Sequence, residues 1–401
     1  MKNLLLANLL LVVVLASNPM PVSATATMPE IDQEVTYRFA EELEFHLEIT
    51  GEAMPEEIWL FVQPMGLGIA TFKVEPAATG SSTFTVTPAQ LLLKPFSTVS
   101  YWYQLIYSDA SEIFTEETVF YYVDNRVEWQ HLSSSQFEVF WQEGDRSFGT
   151  AALTIAQQAW EDLAADFSSV PATPMLVYLY PTSQDLQEAL ALGNMTWVAG
   201  HADPAVNAVL VSVSPGPEQR LEMLREIPHE LAHIFTYISL QDGYEQQPFW
   251  LLEGLASLAE LTENENYSQA LTEAANTNSL QPFESLCGRF PSEQEAIVLA
   301  YAQSQSFTAY LQSEYGQDKL QDLMEAYGEG LSCTAGFNRT YGISLSHAQA
   351  DWQQAVFGSS AILLGWQALA PYLLLLAVFG GVPLVVTVLH RNAGKGNQDV
   401  E

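Results

Sequence analysis

The hydrophobic pattern divides the body of the chain at about residue 126, and this division constrains the fold more than any other feature of the sequence. Before it, apolar residues such as Leu43, Phe45 and Leu47 alternate with polar ones. Period-2 alternation places every second side chain on one face of a strand, which predicts half-buried strands. Clusters of Gly, Pro, Ser and Asp separate several such runs. We therefore predict a β-sandwich domain of the immunoglobulin or fibronectin type III kind over residues 27–125.

From residue 126 to residue 357, strand patterns alternate with helical ones and then give way to helices alone. An apolar strand at Met175–Tyr180 lies between helical patterns at 149–167 and 184–192. A further strand at 208–213 precedes a helical pattern at 218–240. Beyond Pro248 nearly every pattern has the helical period. The second domain, 126–357, is therefore predicted to contain a mixed α/β lobe followed by a helical lobe.

The N-terminus has the layout of a targeting segment. Lys2 precedes an apolar stretch over residues 4–16, and the small residues Ala24 and Ala26 follow it. This order is typical of a secretory signal peptide, which we assign to residues 1–26. An uncleaved N-terminal anchor is the alternative.

The C-terminus carries a longer apolar stretch. Residues 361–389 include no Asp, Glu, Lys or Arg, and a run of this length can cross a bilayer of about 30 Å. Arg391 and Lys395 follow it and favour a cytoplasmic end. We predict one transmembrane helix over 361–389, a cytoplasmic tail over 390–401 and an extracellular body at the cell membrane. The alternative is a buried hairpin of two short helices that meet near Pro371.

The charge balance limits the classes of partner. Acidic residues outnumber basic ones by 48 to 13, which gives a formal net charge of −35. Nucleic acids and anionic membrane surfaces are bound by clustered Lys and Arg, so this balance argues against both.

The sequence contains two cysteines, Cys287 and Cys333, both in the part predicted to be exported. Disulfides persist in such compartments, so the two residues form either a bridge or two buried thiols. They are too few, and too distant from histidines, for a zinc knuckle.

One group of residues in the second domain has side chains that could bind a metal and take part in catalysis. The segment from His229 to His233 has the form His-Glu-Leu-Ala-His. Residues four apart on a helix are separated by about 400°, so both imidazoles leave the same face one turn apart and can share one ion. Glu230 lies about 100° away and can reach a water on that ion. The alternative is two satisfied core histidines.

The next predicted helix, residues 248–260, favours the metal site. Its apolar face is interrupted by Glu253, with the small residues Gly254 and Ala256 beside it. An unpaired carboxylate in an apolar helix is costly, and a cation removes that cost. The small neighbours allow a close approach to the histidine helix. Two histidines and one glutamate leave a fourth position for water, as in catalytic zinc sites.

These segments resemble the gluzincins, the thermolysin-like metallopeptidases, and especially their peptidase MA-like group. Glu253 lies 20 positions after His233 within the sequence Trp-Leu-Leu-Glu-Gly-Leu-Ala, and a tail containing Tyr301 and Trp352 follows in the order typical of that group. The resemblance covers about residues 130–357. It implies a zincin-like α+β metallopeptidase domain with a helical C-terminal lobe.

The resemblance also implies roles for individual residues. His229, His233 and Glu253 would be ligands of Zn²⁺, and Glu230 would be the general base. Glu260, seven residues after Glu253, would hold a ligand histidine in position without itself binding the metal. The alternative is a solvated surface glutamate.

Two further features of the site are expected from the resemblance. Tyr301 would steady the oxyanion, with a packed core tyrosine as the alternative. The strand at 208–213 would be the sheet edge that pairs with an extended substrate.

Two departures from the family pattern qualify the prediction. Pro228 precedes His229, so the helix either starts again there or kinks. The sequence has no Gly-x-Met-Glu-Asn segment for a free N-terminus, which favours an endopeptidase.

We predict a membrane-anchored extracellular zinc metallopeptidase that acts on peptide or protein substrates. The alternatives are a catalytically inactive cell-surface binding protein with a peptidase-like fold, and a zinc hydrolase that acts on another bond.

Overall fold

The computed structural model describes residues 29–51, 53–167, 169–171, 174–190, 200–358 and 372. The predicted signal peptide, the cytoplasmic tail and the predicted transmembrane segment apart from Tyr372 lie outside this part of the chain. Within it, no helix combines the length and the apolar character that a membrane crossing requires. The chain divides into two compact units. The first contains the described residues up to Leu93 together with Val99–Phe120, and the second contains the remainder.

The first unit is built on β-strands, which confirms the predicted β-rich N-terminal part. The strands are β1 (Glu30–Arg38), β2 (Glu42–Thr50), β3 (Glu57–Pro64), β4 (Ala70–Val74), β5 (Ser81–Val86), β6 (Ser97–Ile106), β7 (Glu112–Phe114) and β8 (Thr118–Tyr122). One sheet has the order β1-β2-β5 and the other β4-β3-β6-β7, with β8 also paired to β6. The alternating residues of β2 are buried as predicted, and the ring of Phe45 packs edge-on against Tyr101 of the second sheet at 5.1 Å.

The second unit opens with a five-stranded sheet. Its strands are β9 (Gln130–Ser133), β10 (Phe137–Trp141), β11 (Met175–Tyr180), β12 (Gly200–Asp203) and β13 (Ala208–Ser212). Their order is β12-β13-β11-β10-β9, in which β10, β11 and β13 are parallel while β9 and β12 pair antiparallel with their neighbours.

The prediction that the strand at 208–213 forms the sheet edge is wrong. β13 lies between β11 and β12, and β12 is the terminal strand in the described part of the chain. The reason is a short reversal: β12 ends at Asp203, Asn207 adopts a left-handed conformation, and the chain returns as β13. Asn and Asp tolerate such turns better than other non-glycine residues.

Helices supply the rest of the second unit. They are α1 (Arg146–Asp166), α2 (Ser183–Leu190), α3 (Gln219–Leu240), α4 (Phe249–Leu258), α5 (Glu265–Thr277), α6 (Gln294–Tyr315), α7 (Gln317–Gly328) and α8 (Cys333–Tyr341). Residues 345–358 are also helical. α1 and α3 share one core with the sheet, in which Trp160 makes edge-on contacts with Phe137 and Phe235 at 5.6 and 5.1 Å. α3, which carries the histidines, is therefore fixed against the sheet.

A second core joins α4 to the later helices. Trp250, Phe283, Phe307 and Trp352 are fully buried within it. Cys287 and Cys333 are linked by a disulfide across 46 residues, a loop whose closure contributes about 4 kcal/mol in the chain-entropy account. The carbonyl of Cys287 also accepts a hydrogen bond of 3.1 Å from the N–H of Phe249, the first residue of α4. The bridge is thus attached to the helix that carries Glu253.

Candidate metal centre

Both motif histidines lie on the buried face of α3. The side chains of His229 and His233 are 11% and 12% exposed, and their ring centroids are 5.1 Å apart. This is the arrangement that helical geometry gives to residues four apart. The two rings therefore face a common space beside the helix.

α3 continues through Pro228 without interruption, from Gln219 to Leu240. Proline has no N–H, so the carbonyl of Leu224, four residues earlier, loses its partner within the helix. The N–H of Leu261 donates to that carbonyl at 2.9 Å. The proline thus leaves a carbonyl acceptor on α3. Leu261, which follows Glu260 just after the end of α4, donates to this acceptor.

Glu253 projects from α4 towards both histidines. Its Oε2 lies 3.2 Å from Nε2 of His229 and 3.6 Å from Nε2 of His233, and its side chain is 13% exposed. Burial alone would raise the pKa of the Glu253 carboxyl, but the two imidazoles outweigh it and hold that pKa well below its usual range. Burial likewise opposes a charge on His229, yet hydrogen bonds to Glu253 and Glu260 raise the pKa of that imidazole.

Gly254 lets α4 approach α6 closely enough to place Glu253. A Cβ at this position would overlap the hydroxyl of Thr308 and would lie 2.6 Å from the carbonyl oxygen of Ser304. Both partners belong to α6, and one of them is backbone, which cannot turn aside. A side chain at this position would therefore push the two helices apart.

We expect Gly254→Ala to lower the free energy of unfolding of the metal-free chain by about 1–3 kcal/mol through overpacking. Alanine's better helix propensity, about 1 kcal/mol, offsets only part of this loss. Urea unfolding in the presence of a chelator measures the change. Gly288→Ala is the matched control, because a Cβ there meets nothing within 4 Å. Equal stability of the two variants would contradict the close packing of α4 on α6.

The second nitrogen of each imidazole also has a partner. Oε1 of Glu260 lies 3.4 Å from Nδ1 of His229, and the hydroxyl of Tyr244 lies 3.2 Å from Nδ1 of His233. The Glu260 side chain is 3% exposed, so it is not a solvated surface glutamate. With both Nδ1 atoms engaged, the two Nε2 atoms are the ones directed at Glu253.

Glu230 lies against the edge strand. It is 7% exposed, and a Cβ on Gly200 of β12 would overlap its carboxylate. Burial raises the pKa of Glu230, while the nearby imidazoles of His229 and His233 oppose that shift. A bound cation would oppose it further, because a positive charge favours the ionised carboxylate.

Tyr301 of α6 borders the same space. Its ring centroid lies 6.1 Å from that of His229, and Tyr267 stacks parallel to it at 6.4 Å. Burial, followed by repulsion from Glu253, raises the pKa of Tyr301 well above its usual value. The hydroxyl therefore keeps its proton and can act as a hydrogen-bond donor.

The spacing of the three candidate ligands fits a metal ion. One atom from each of His229, His233 and Glu253 lies within 4.8 Å of the others. Ligands that surround a tetrahedral ion at about 2.0–2.2 Å are separated by about 3.3–3.6 Å. The separations of 3.2 and 3.6 Å from Glu253 Oε2 to the two Nε2 atoms are close to this spacing.

Two parts of this site have no signal in the sequence. Tyr244 lies eleven positions after His233 in a short 3₁₀ helix, and neither periodicity nor a motif distinguishes it. The strand β12 contains one apolar residue, Ala202, so it shows no strand alternation.

Comparison with known families agrees with this geometry. The sequence model of the Peptidase MA superfamily matches residues 155–358, just over half of the chain. That range includes α3, α4 and all three candidate ligands. The fold and the site thus define a peptidase-like protein, and the chain belongs to the Peptidase MA superfamily.

Solved structures resemble this chain only weakly, with low sequence identities and low TM-scores. An aminopeptidase N family protein from Idiomarina loihiensis is 10% identical, with a TM-score of 0.37 over 80% of this chain and 76% of its own. A carbohydrate-binding module family 56 β-1,3-glucan binding domain is 10% identical, with a TM-score of 0.18 over 23% of this chain and 98% of its own. No curated protein matches the sequence. The superfamily assignment rests on the sequence model alone.

Proposed function

We propose that the chain is a zinc metallopeptidase, an endopeptidase that is anchored in the cell membrane with its body outside the cell. The observation that carries the proposal is the convergence of His229 Nε2, His233 Nε2 and Glu253 Oε2 at ligand spacing, with both Nδ1 atoms already engaged. Metal-binding histidines in proteins usually donate their second N–H to an outer partner in this way. Membership of the Peptidase MA superfamily supports peptide hydrolysis as the reaction.

When bound, zinc would supply a Lewis acid that lowers the pKa of water to about 7. Glu230 adjoins the ligand His229 and is the general base in this proposal. It takes a proton from the attacking water and later passes that proton to the leaving amine. The neutral hydroxyl of Tyr301 donates a hydrogen bond to the oxygen that becomes negative.

Strand β12, which is terminal among the described strands, provides a means to hold the substrate. A terminal strand presents unpaired N–H and C=O groups, to which an extended peptide can add as a further strand. Because Glu230 lies against Gly200 of β12, a peptide paired with this strand would pass close to the general base.

The membrane anchor and the extracellular location rest on the sequence patterns at 1–26 and 361–389. The disulfide between Cys287 and Cys333 supports export, because such bridges persist in oxidising compartments. We further propose that the first unit is a fibronectin type III-like or immunoglobulin-like module with a binding or spacer role. Its strand order, β1-β2-β5 opposite β4-β3-β6-β7, supports this assignment.

Metal analysis combined with a peptide-library digest tests the proposal on the full chain in detergent. We expect about one zinc per chain, cleavage that stops on chelation, and recovery when zinc is restored, because the three ligands hold the ion on which hydrolysis depends. Zinc without cleavage of any peptide would favour the inactive binding protein. A chain that binds no zinc would contradict the proposal altogether.

A further inference from the structure

Tyr244 belongs to the turn that follows the histidine helix. This turn is a 3₁₀ helix over Gln241–Gln246, directly after the end of α3 at Leu240. It folds the chain back along α3, so that the ring of Tyr244 contacts Tyr237 edge-on at 5.4 Å. Its hydroxyl then lies 3.2 Å from Nδ1 of His233.

The helical lobe holds this turn in position. The side-chain amide of Gln247 donates to the carbonyls of Gly243 and Met324, at 3.0 and 2.9 Å. Gly243 also packs against the end of α7, because a Cβ on it would lie 3.1 Å from the Cα of Gly328. The position of the Tyr244 hydroxyl is therefore set by α3 on one side and by α7 on the other.

The chemistry of imidazole gives this contact a consequence. A neutral histidine carries its proton on one nitrogen, and the nitrogen that binds a metal must be the unprotonated one. With Nε2 of His233 directed at Glu253, metal binding requires the proton on Nδ1, where it points at Tyr244. The tyrosine oxygen can accept that proton in a hydrogen bond.

A hydroxyl differs from a carboxylate in one useful respect. It can donate as well as accept, so it can also satisfy Nδ1 in the other tautomer, in which the proton sits on Nε2 and faces Glu253 Oε2 at 3.6 Å. Ionised Glu260, the partner of His229, can only accept. Tyr244 can therefore keep the His233 ring in place both before and after an ion binds.

We propose that Tyr244 is a positioning residue for the metal centre, which fixes the ring orientation of His233 and accepts the Nδ1 proton when Nε2 binds the ion. This inference rests on the proposed zinc site and assigns the outer partner of one ligand. Loss of such partners in metal sites typically weakens metal affinity 10–100-fold.

Tyr244→Phe in the full-length protein tests the inference, with zinc affinity measured by competition against a chromogenic chelator. We expect affinity to fall about 10–100-fold, because Nδ1 of His233 loses the only hydrogen-bond partner that it has among the described residues. Tyr237→Phe is the matched control, since it removes a hydroxyl from the ring on α3 that packs against Tyr244, and it should retain wild-type affinity. Wild-type affinity in Tyr244→Phe would overturn the proposal.

Proton NMR of the zinc-loaded protein gives a readout that a purely structural role would not change. The wild type should show a slowly exchanging Nδ1–H resonance from His233, and Tyr244→Phe should lose it while the corresponding His229 resonance remains. A wild-type His233 without a protected Nδ1–H would reject Tyr244 as its partner, even if the variant does not fold. A wild-type chain that binds no zinc would reject the proposed function itself, and the two failures are thereby distinguished.

Discussion

Replacing Glu230 with glutamine is expected to lower the rate of peptide cleavage by about 10²–10⁴-fold while zinc content stays at the wild-type level. Glutamine has nearly the shape of glutamate, so it fits the space beside Gly200, but its amide cannot take a proton from water. Zinc should stay bound, because the group of candidate ligands consists of His229, His233 and Glu253 and does not include Glu230.

The measurement pairs turnover on a cleaved peptide with metal analysis of the same preparation. Glu222→Gln is the matched control, because it makes the same chemical change two turns earlier on α3 and should leave both values unchanged. Wild-type turnover in Glu230→Gln would remove the general-base mechanism. Loss of zinc in that variant would instead indicate that Glu230 helps to hold the ion.

The centre of the site could be predicted from the sequence because local rules govern it. The spacing of His229 and His233 fixes their common face once the segment is helical, and the predicted helix at 218–240 corresponds to the observed Gln219–Leu240. Glu253 was indicated by its place on the apolar face of a predicted helix, where a carboxylate without a partner is costly.

The surroundings of the site depend on contacts between distant segments, and these could not be predicted. β12 exists because its backbone pairs with β13, from Gly200 opposite Val211 to Asp203 opposite Ala208, and not because of its own side chains. The contact of Tyr244 with His233 depends on how α7 holds the turn Gln241–Gln246 that carries Tyr244. Both are products of tertiary packing, which overrides weak local preferences.

The effect of Pro228 on α3 also could not be predicted fully from the sequence. The sequence indicated that proline would disturb the helix and left open whether α3 restarts or kinks. In the structure the helix is continuous, and the missing hydrogen bond reappears between Leu261 and Leu224. The rule for proline specifies that the carbonyl four residues earlier loses its partner, but only the fold shows that the chain after α4 uses that carbonyl.

Glu253→Ala is expected to weaken zinc binding by more than about 100-fold, because loss of a ligand should exceed the 10–100-fold cost of losing an outer partner. The two histidines would remain, but two ligands from one helix hold an ion far less firmly than three from two helices. Competition with a chelator measures the affinity. Glu263→Ala is a suitable control, since it removes an exposed carboxylate ten residues further on and should change nothing.

The metal-free form of the same variant provides a second, independent measurement. Hydrogen bonds to Glu253 and Glu260 raise the pKa of His229 against the effect of burial. Removing one of these two partners should therefore lower that pKa, which NMR titration of the imidazole can follow. A variant that keeps both its zinc affinity and the pKa of His229 would place Glu253 outside the site. The conclusion that α3 and α4 together build a metal centre would then fail, because the histidines alone do not distinguish a ligand pair from two buried core residues.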